Sequence, residues 1–134
     1  MRFLFNYATR GRPQWCLKTL KKYYGMLSKN CKFQFVLTID TDDQLMKNET
    51  VLNALRQFPN LSLYEGYHDN KVAAINDDVP KKGWDIMVVV SDDMIPAVPN
   101  FDKIIAKDMI YQFPNLLGAL HYNDGFYGKD VTIT

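Results

Sequence analysis

The chain of 134 residues is 47% hydrophobic and 23% charged and carries a net charge of +1, the balance of one soluble domain with a single core. No apolar run approaches the ~20 residues of a membrane span, and residues 1–7 are too short and too soon followed by arginine to form a signal peptide. Cys16 and Cys31 are too few and too far apart for a disulfide framework or a zinc site, which points to a reducing, cytoplasmic setting.

Charge is unevenly spread. Residues 1–39 hold eight Lys or Arg and no acid, whereas residues 40–134 hold all 15 acids and the other eight bases. A basic first third against an acidic remainder suits a ligand with phosphates at one end and a metal at the other. Lys18, Lys21, Lys22, Lys29 and Lys32 read more simply as solvating one helix and its exit.

Taken in order, residues 2–7 (RFLFNY) form a first strand and residues 8–13 (ATRGRP) a loop, with Gly11 free in its dihedrals and Pro13 at a first helical position. Leu17, Leu20, Tyr24 and Leu27 recur at helical spacing, and Gly25 stands near the end of that helix. Residues 33–39 (FQFVLTI) make a second strand ending in Asp40, Asp42 and Asp43. A second helix is expected over 45–58, stopped by Pro59 and Asn60, then a third strand over 61–65, a loop over 66–71 and a short helix over 72–76. Five apolar residues, 86–90, form a fourth strand, and such a β-branched run suits a strand covered on both faces. It delivers Ser91, Asp92 and Asp93 at its end, before Pro96 forbids a simple helical continuation. Asn100 is the expected N-cap of a helix using Phe101, Ile104, Ile105 and Met109. Residues 116–122 read as a fifth strand, 123–128 as a turn and 131–134 as a sixth strand.

Alternating strands and helices imply right-handed βαβ units: an α/β, Rossmann-like, mostly parallel sheet with helices on both faces. If the first four strands are parallel, the loops at 7–13, 40–43, 66–71 and 91–96 open on one edge, where ligands of such sheets bind. Thr9, Arg10, Arg12, Asp40, Asp42, His68, Lys71, Asp92 and Asp93 then converge without being neighbours in sequence. Adjacent carboxylates need a cation or a network of donors to stay charged together, and Mg²⁺ or Mn²⁺ would serve. The simpler reading is that these acids cap turns.

No GxxxxGK[ST] loop, GxGxxG turn or GxSxG elbow is present, which disfavours P-loop, dinucleotide and serine-hydrolase sites. Cys31 lies at a strand entrance, and His68 and His121 are lone histidines better read as structural or solvent-facing. What remains is a nucleoside diphosphate held by arginine, lysine and a metal.

On these residues the chain resembles the nucleotide-binding half of a GT-A glycosyltransferase, close to the family 2 group of inverting enzymes. The pieces carrying the resemblance are TRGRP after the first strand, LKTLKKYYG, VLTIDTDD, KVAAIN, and WDIMVVVSDDMIP followed by FDKII, in order over residues 2–105. The resemblance implies the nucleotide-diphospho-sugar transferase fold, in a truncated or minimal form. It also implies a UDP- or GDP-sugar donor with Mn²⁺ or Mg²⁺ as cofactor, and a glycan, lipid or protein acceptor. In that resemblance Asp92 contacts the ribose or a metal-bound water, and Asp93, with Asp92, holds the metal bridging the diphosphate. Asp40 or Asp42 reads the base, Tyr7, Ala8 and Thr9 frame it, Lys71 stands near the nucleotide, and Arg10 or Arg12 assists the phosphates.

SDD departs from the family's D-x-D, which can move the ribose and metal roles by one residue. Family members usually continue into a second half that supplies the acceptor site and a general base; here the nearest base is Asp124, in an Asn-Asp-Gly turn. Residues 1–134 are therefore expected to be one donor-binding unit, a minimal enzyme or a part that needs a partner chain or oligomer. No nucleic-acid partner is expected. A catalytically silent nucleotide-sugar-binding module is the alternative, and a nucleotidyltransferase a further one for which TRGRP is a poor phosphate loop.

Overall fold

The computed structural model describes residues 1–67, 80, 82–122 and 132–133. The helix expected over 72–76, and His68, Lys71 and Asp124, lie outside the described residues. Four strands, β1 (Arg2–Thr9), β2 (Lys32–Asp40), β3 (Leu61–Gly66) and β4 (Ile86–Val90), form one sheet in the order β3-β2-β1-β4. Every pairing in it is parallel. The expected α/β, Rossmann-like architecture is the one that forms.

Register explains the core. Phe5 lies beside Phe35 on one side and Val88 on the other, and Tyr7 lies between Leu37 and Val90. Because side chains alternate along a strand, Phe3, Phe5 and Tyr7 share one face with Phe35, Leu37 and Ile39 of β2 and Ile86 and Val90 of β4. Helices α1 (Pro13–Met26), α2 (Glu49–Arg56) and α3 (Phe101–Gln112) all feed this same cluster, through Cys16, Leu20 and Tyr23, through Leu55, and through Phe101 and Met109. At its centre Phe5 stacks on Phe35 at 4.6 Å between ring centroids, with the ring of Phe101 edge-on to Phe5 at 6.0 Å. Burying each such ring contributes roughly 1.5–3 kcal/mol, with aromatic geometry adding to it. The opposite face is closed at its middle as well, since Leu4, Asn6, Val36 and Thr38 are all buried.

Several boundaries differ from expectation for local reasons. α2 begins only at Glu49, because the Asn48 side chain accepts from the Thr50 amide at 2.8 Å and caps the helix there. Asn100 does precede α3, but in the left-handed region (φ 58°) and without a side-chain cap; its own amide donates to the Met26 carbonyl instead. Met87 and Val89 alternate with the buried Ile86 and Val90 and so lie on the opposite face of β4, where they are 36% and 37% exposed rather than covered. The expected fifth strand shrinks to β5 (Leu120–His121), which pairs antiparallel with β6 (Thr132–Ile133) in a separate small sheet. Leu116 turns the chain at φ 60°, and Gly118 passes so close to Phe113 that a Cβ would meet its ring at 2.2 Å.

Among the described residues no helix is long and apolar enough to cross a membrane.

Candidate functional site

The strand order reverses between β1 and β4: from β1 the chain builds outward through β2 and β3, then returns to place β4 on the other flank. In open parallel sheets the crevice beyond the carboxyl ends at such a reversal is where ligands bind. Here that position is occupied by Thr9 to Arg12 following β1 and by Ser91 to Asp93 following β4.

Asp92 joins the two. It is 3% exposed, and its carboxylate accepts from the Tyr7 hydroxyl (Oδ1, 2.6 Å) and the Thr9 hydroxyl (Oδ2, 2.8 Å). Its carbonyl accepts from the Thr19 hydroxyl of α1 at 2.7 Å, and the Tyr23 hydroxyl one turn later donates to the Met94 carbonyl. A buried carboxylate is tolerated only with such donors, and here they come from β1 and α1 together. Burial first, then the neighbouring Cys16 and Asp92, push the Tyr7 phenol far above its ordinary range, so it stays a donor. Burial and Asp92 likewise push the Cys16 thiol up to about 12.

Asp93, next along, is exposed, and its Oδ1 accepts from the Ser91 hydroxyl at 2.7 Å. The two acids of the SDD motif thus have different environments: Asp92 is built into the β1–β4 junction, and Asp93 stands at the surface.

On the other flank, Arg10 crosses to the end of β2. Its guanidinium reaches Asp40 Oδ2 at 2.7 Å and both oxygens of Asp42 at 2.8 and 3.2 Å. The hydrogen bond from Arg10 holds the Asp42 carboxyl below the usual range, and the two acids raise the already basic guanidinium further. Asp43, singled out in the sequence only as a strand-end acid, is 5% exposed and does the structural work of the second loop. It accepts from the Gly11 amide at 2.8 Å and the Met46 amide at 3.3 Å. Gly11 takes φ 65°, which glycine adopts without penalty, and this presents its amide to Asp43. Arg12 turns the other way: its Nε lies 4.0 Å from Asp92 Oδ2, and its guanidinium sits over the Trp15 ring.

The structure therefore brings together Tyr7, Thr9, Arg12, Asp92 and Asp93 at the β1–β4 crevice, and Arg10, Asp40 and Asp42 beside it at β2. Ala8 lies in β1 between Tyr7 and Thr9, on the alternate side of the strand. Thr19, Trp15 and Cys16 were not legible as site residues; their only sequence signal is that they sit in the first turns of the helix that follows the loop.

Among the described residues there is no cluster of three or more His, Cys, Asp or Glu able to hold a metal ion. Mg²⁺ at phosphate sites, however, is held through one or two carboxylates plus the substrate's own phosphates. The exposed Asp93 fits that sparse donor set, whereas both oxygens of Asp92 already accept hydrogen bonds.

No protein-family model matches the chain, and no curated protein matches it. Among solved structures it is similar to S. aureus TarS 1-349, with a TM-score of 0.63 and 14% identity, over 90% of this chain and 34% of that one. The chain thus spans about a third of that structure. TarS is a glycosyltransferase, and at this identity the likeness shows a shared fold alone.

Proposed function

We propose that the chain binds a nucleotide-diphospho-sugar and is a glycosyltransferase or its donor-binding part. The observation that carries this reading is the placement of an exposed Asp93 beside a buried, fully engaged Asp92 at the reversal point of a glycosyltransferase-like sheet. In this reading Asp93 holds a divalent ion, and that ion supplies charge neutralisation for the departing diphosphate. Asp92 does not itself meet the ion; it fixes Thr9 and the loop after β4 so that Asp93 faces the phosphates. The backbone edge of Tyr7 to Thr9 frames the base. Asp40 and Asp42 face it only as a composite edge with Arg10, since that guanidinium occupies both carboxylates. A silent nucleotide-sugar-binding module is the second reading.

Calorimetric titration of UDP and of GDP, each with and without Mn²⁺, tests the proposal on the wild type and on Asp93→Ala. Metal-dependent binding of one nucleotide, lost in the variant with its circular dichroism unchanged, supports it. Equal affinity of wild type and variant in Mn²⁺ removes Asp93 from the metal site. Hydrolysis or transfer of a bound donor sugar separates an enzyme from a silent module.

A further inference from the structure

Trp15, Thr19 and Tyr23 recur every four residues along α1 and so form one row on its surface. Thr19 and Tyr23 donate to the carbonyls of Asp92 and Met94, so the row runs alongside the segment that leaves β4. Trp15 is its first member, at the mouth of the crevice, and it remains 49% exposed. Arg12 lies above it, with its guanidinium carbon 5.4 Å from the ring centroid, and only its Nε is directed at an acid, Asp92, at 4.0 Å. Neither terminal nitrogen of Arg12 has a hydrogen-bond partner among the described residues. Arg10, two positions earlier, is spent on Asp40 and Asp42.

We infer that Arg12, held over Trp15, is the cation that binds the diphosphate of the ligand, and that Trp15 is the positioning residue for it. A guanidinium carries its N–H bonds in its own plane. Resting over an aromatic face engages the π surface and leaves the edge donors available for bidentate contact with phosphate oxygens. Arg10 lacks that freedom, because its terminal nitrogens are already held by Asp40 and Asp42. That the anion is a diphosphate carried by a nucleoside rests on the function proposed above; that Arg12 over Trp15 is an oxyanion site rests on the geometry.

The two are separated by titrating inorganic pyrophosphate alongside UDP, GDP, uridine and guanosine into the wild type, Arg12→Gln, Arg12→Lys, Trp15→Ala, Trp15→Phe and Arg10→Gln. Lys18→Gln serves as the control for loss of a surface charge. Pyrophosphate and diphosphate affinity should fall roughly tenfold or more in Arg12→Gln, as expected for a charge-assisted hydrogen-bonded contact, and recover only partly in Arg12→Lys. Trp15→Ala should lose several-fold and Trp15→Phe regain most of it, a rescue that a merely structural role for the indole would not produce. Pyrophosphate binding that depends on Arg12, with UDP and GDP no tighter than pyrophosphate itself, would keep the inference and remove the nucleotide. Metal-dependent UDP or GDP binding indifferent to Arg12 would do the reverse. The inference is also overturned if affinity is lost in Arg10→Gln instead, or if the wild type binds no pyrophosphate at millimolar concentration.

Discussion

The Tyr7 hydroxyl and the Asp92 carboxylate, 85 residues apart in the chain, meet at 2.6 Å across the junction of β1 and β4. Thr9 completes the carboxylate's needs from the same strand, so β1 presents two hydroxyls, two residues apart and on one side, to a single acid. The contact ties the last residues of β1 to the loop that carries Asp93.

Tyr7→Phe keeps the ring and removes the donor, leaving a buried carboxylate oxygen short of one hydrogen bond. A loss of about 1–3 kcal/mol is expected, read in urea denaturation as a lower midpoint with an unchanged slope. The double variant Tyr7→Phe with Asp92→Asn should lose less than the two single losses added together, because both act on one contact.

Arg10→Gln should leave global stability little changed, since its ion pairs with Asp40 and Asp42 are exposed. Its effect belongs to titration. Arg10 holds the Asp42 carboxyl below the ordinary value of 3.8, so the pair's contribution is complete above that value and is lost as pH falls through the lowered one. Carboxyl-detected NMR titration should show Asp42 returning toward 3.8 in the variant; an unmoved Asp42 would show that Arg10 does not hold it in solution.

Asp102 is a further buried acid, 3% exposed, at the start of α3. The Ser28 amide and hydroxyl donate to it at 2.9 and 2.5 Å, joining the chain after α1 to α3. Burial pushes its pKa up, but the Ser28 donors and the Cys31 thiol outweigh burial and leave it below 3.8. Ser28→Ala should cost about 1–3 kcal/mol at neutral pH. The gap from wild type should narrow as pH falls below 3.8 and through the lowered value, because protonation removes the same stabilisation from the wild type. A gap constant from pH 7 down to acid unfolding would contradict this.

Cys16 is fully buried, with its thiol pushed up to about 12 by burial and by Asp92. The thiolate is the reactive form, so a disulfide reagent at pH 8 should modify Cys16 only after unfolding. Mass-spectrometric mapping of a native sample would show prompt Cys16 labelling if the α1–β1 packing were loose.

Much of the fold is legible in local pattern. The apolar run at 86–90 is β4, Pro13 opens α1, and the strands at 2–7, 33–39 and 61–65 are β1, β2 and β3 to within two residues. These signals are short-range: β-branched and aromatic runs, a proline at a first helical position, acids at strand ends. Where a side chain or a close approach overrode the pattern, expectation failed. Asn48 delays α2, Asn100 enters α3 without capping it, and Leu116 and Gly118 turn the chain where a strand was expected.

By itself the sequence determined that a mostly parallel α/β sheet would gather a basic first loop and two acidic strand ends on one edge, because strands and helices alternate in residue patterns a few positions long and βαβ crossovers make neighbouring strands parallel. Only the tertiary structure decided how those charges divide. Asp92 became a buried acceptor while Asp93 stayed at the surface, and Arg10 closed on Asp40 and Asp42 while Arg12 settled over Trp15. Neighbours in sequence received opposite roles because hydrogen bonding and burial depend on distances across the sheet, set by the β1–β2 and β1–β4 registers.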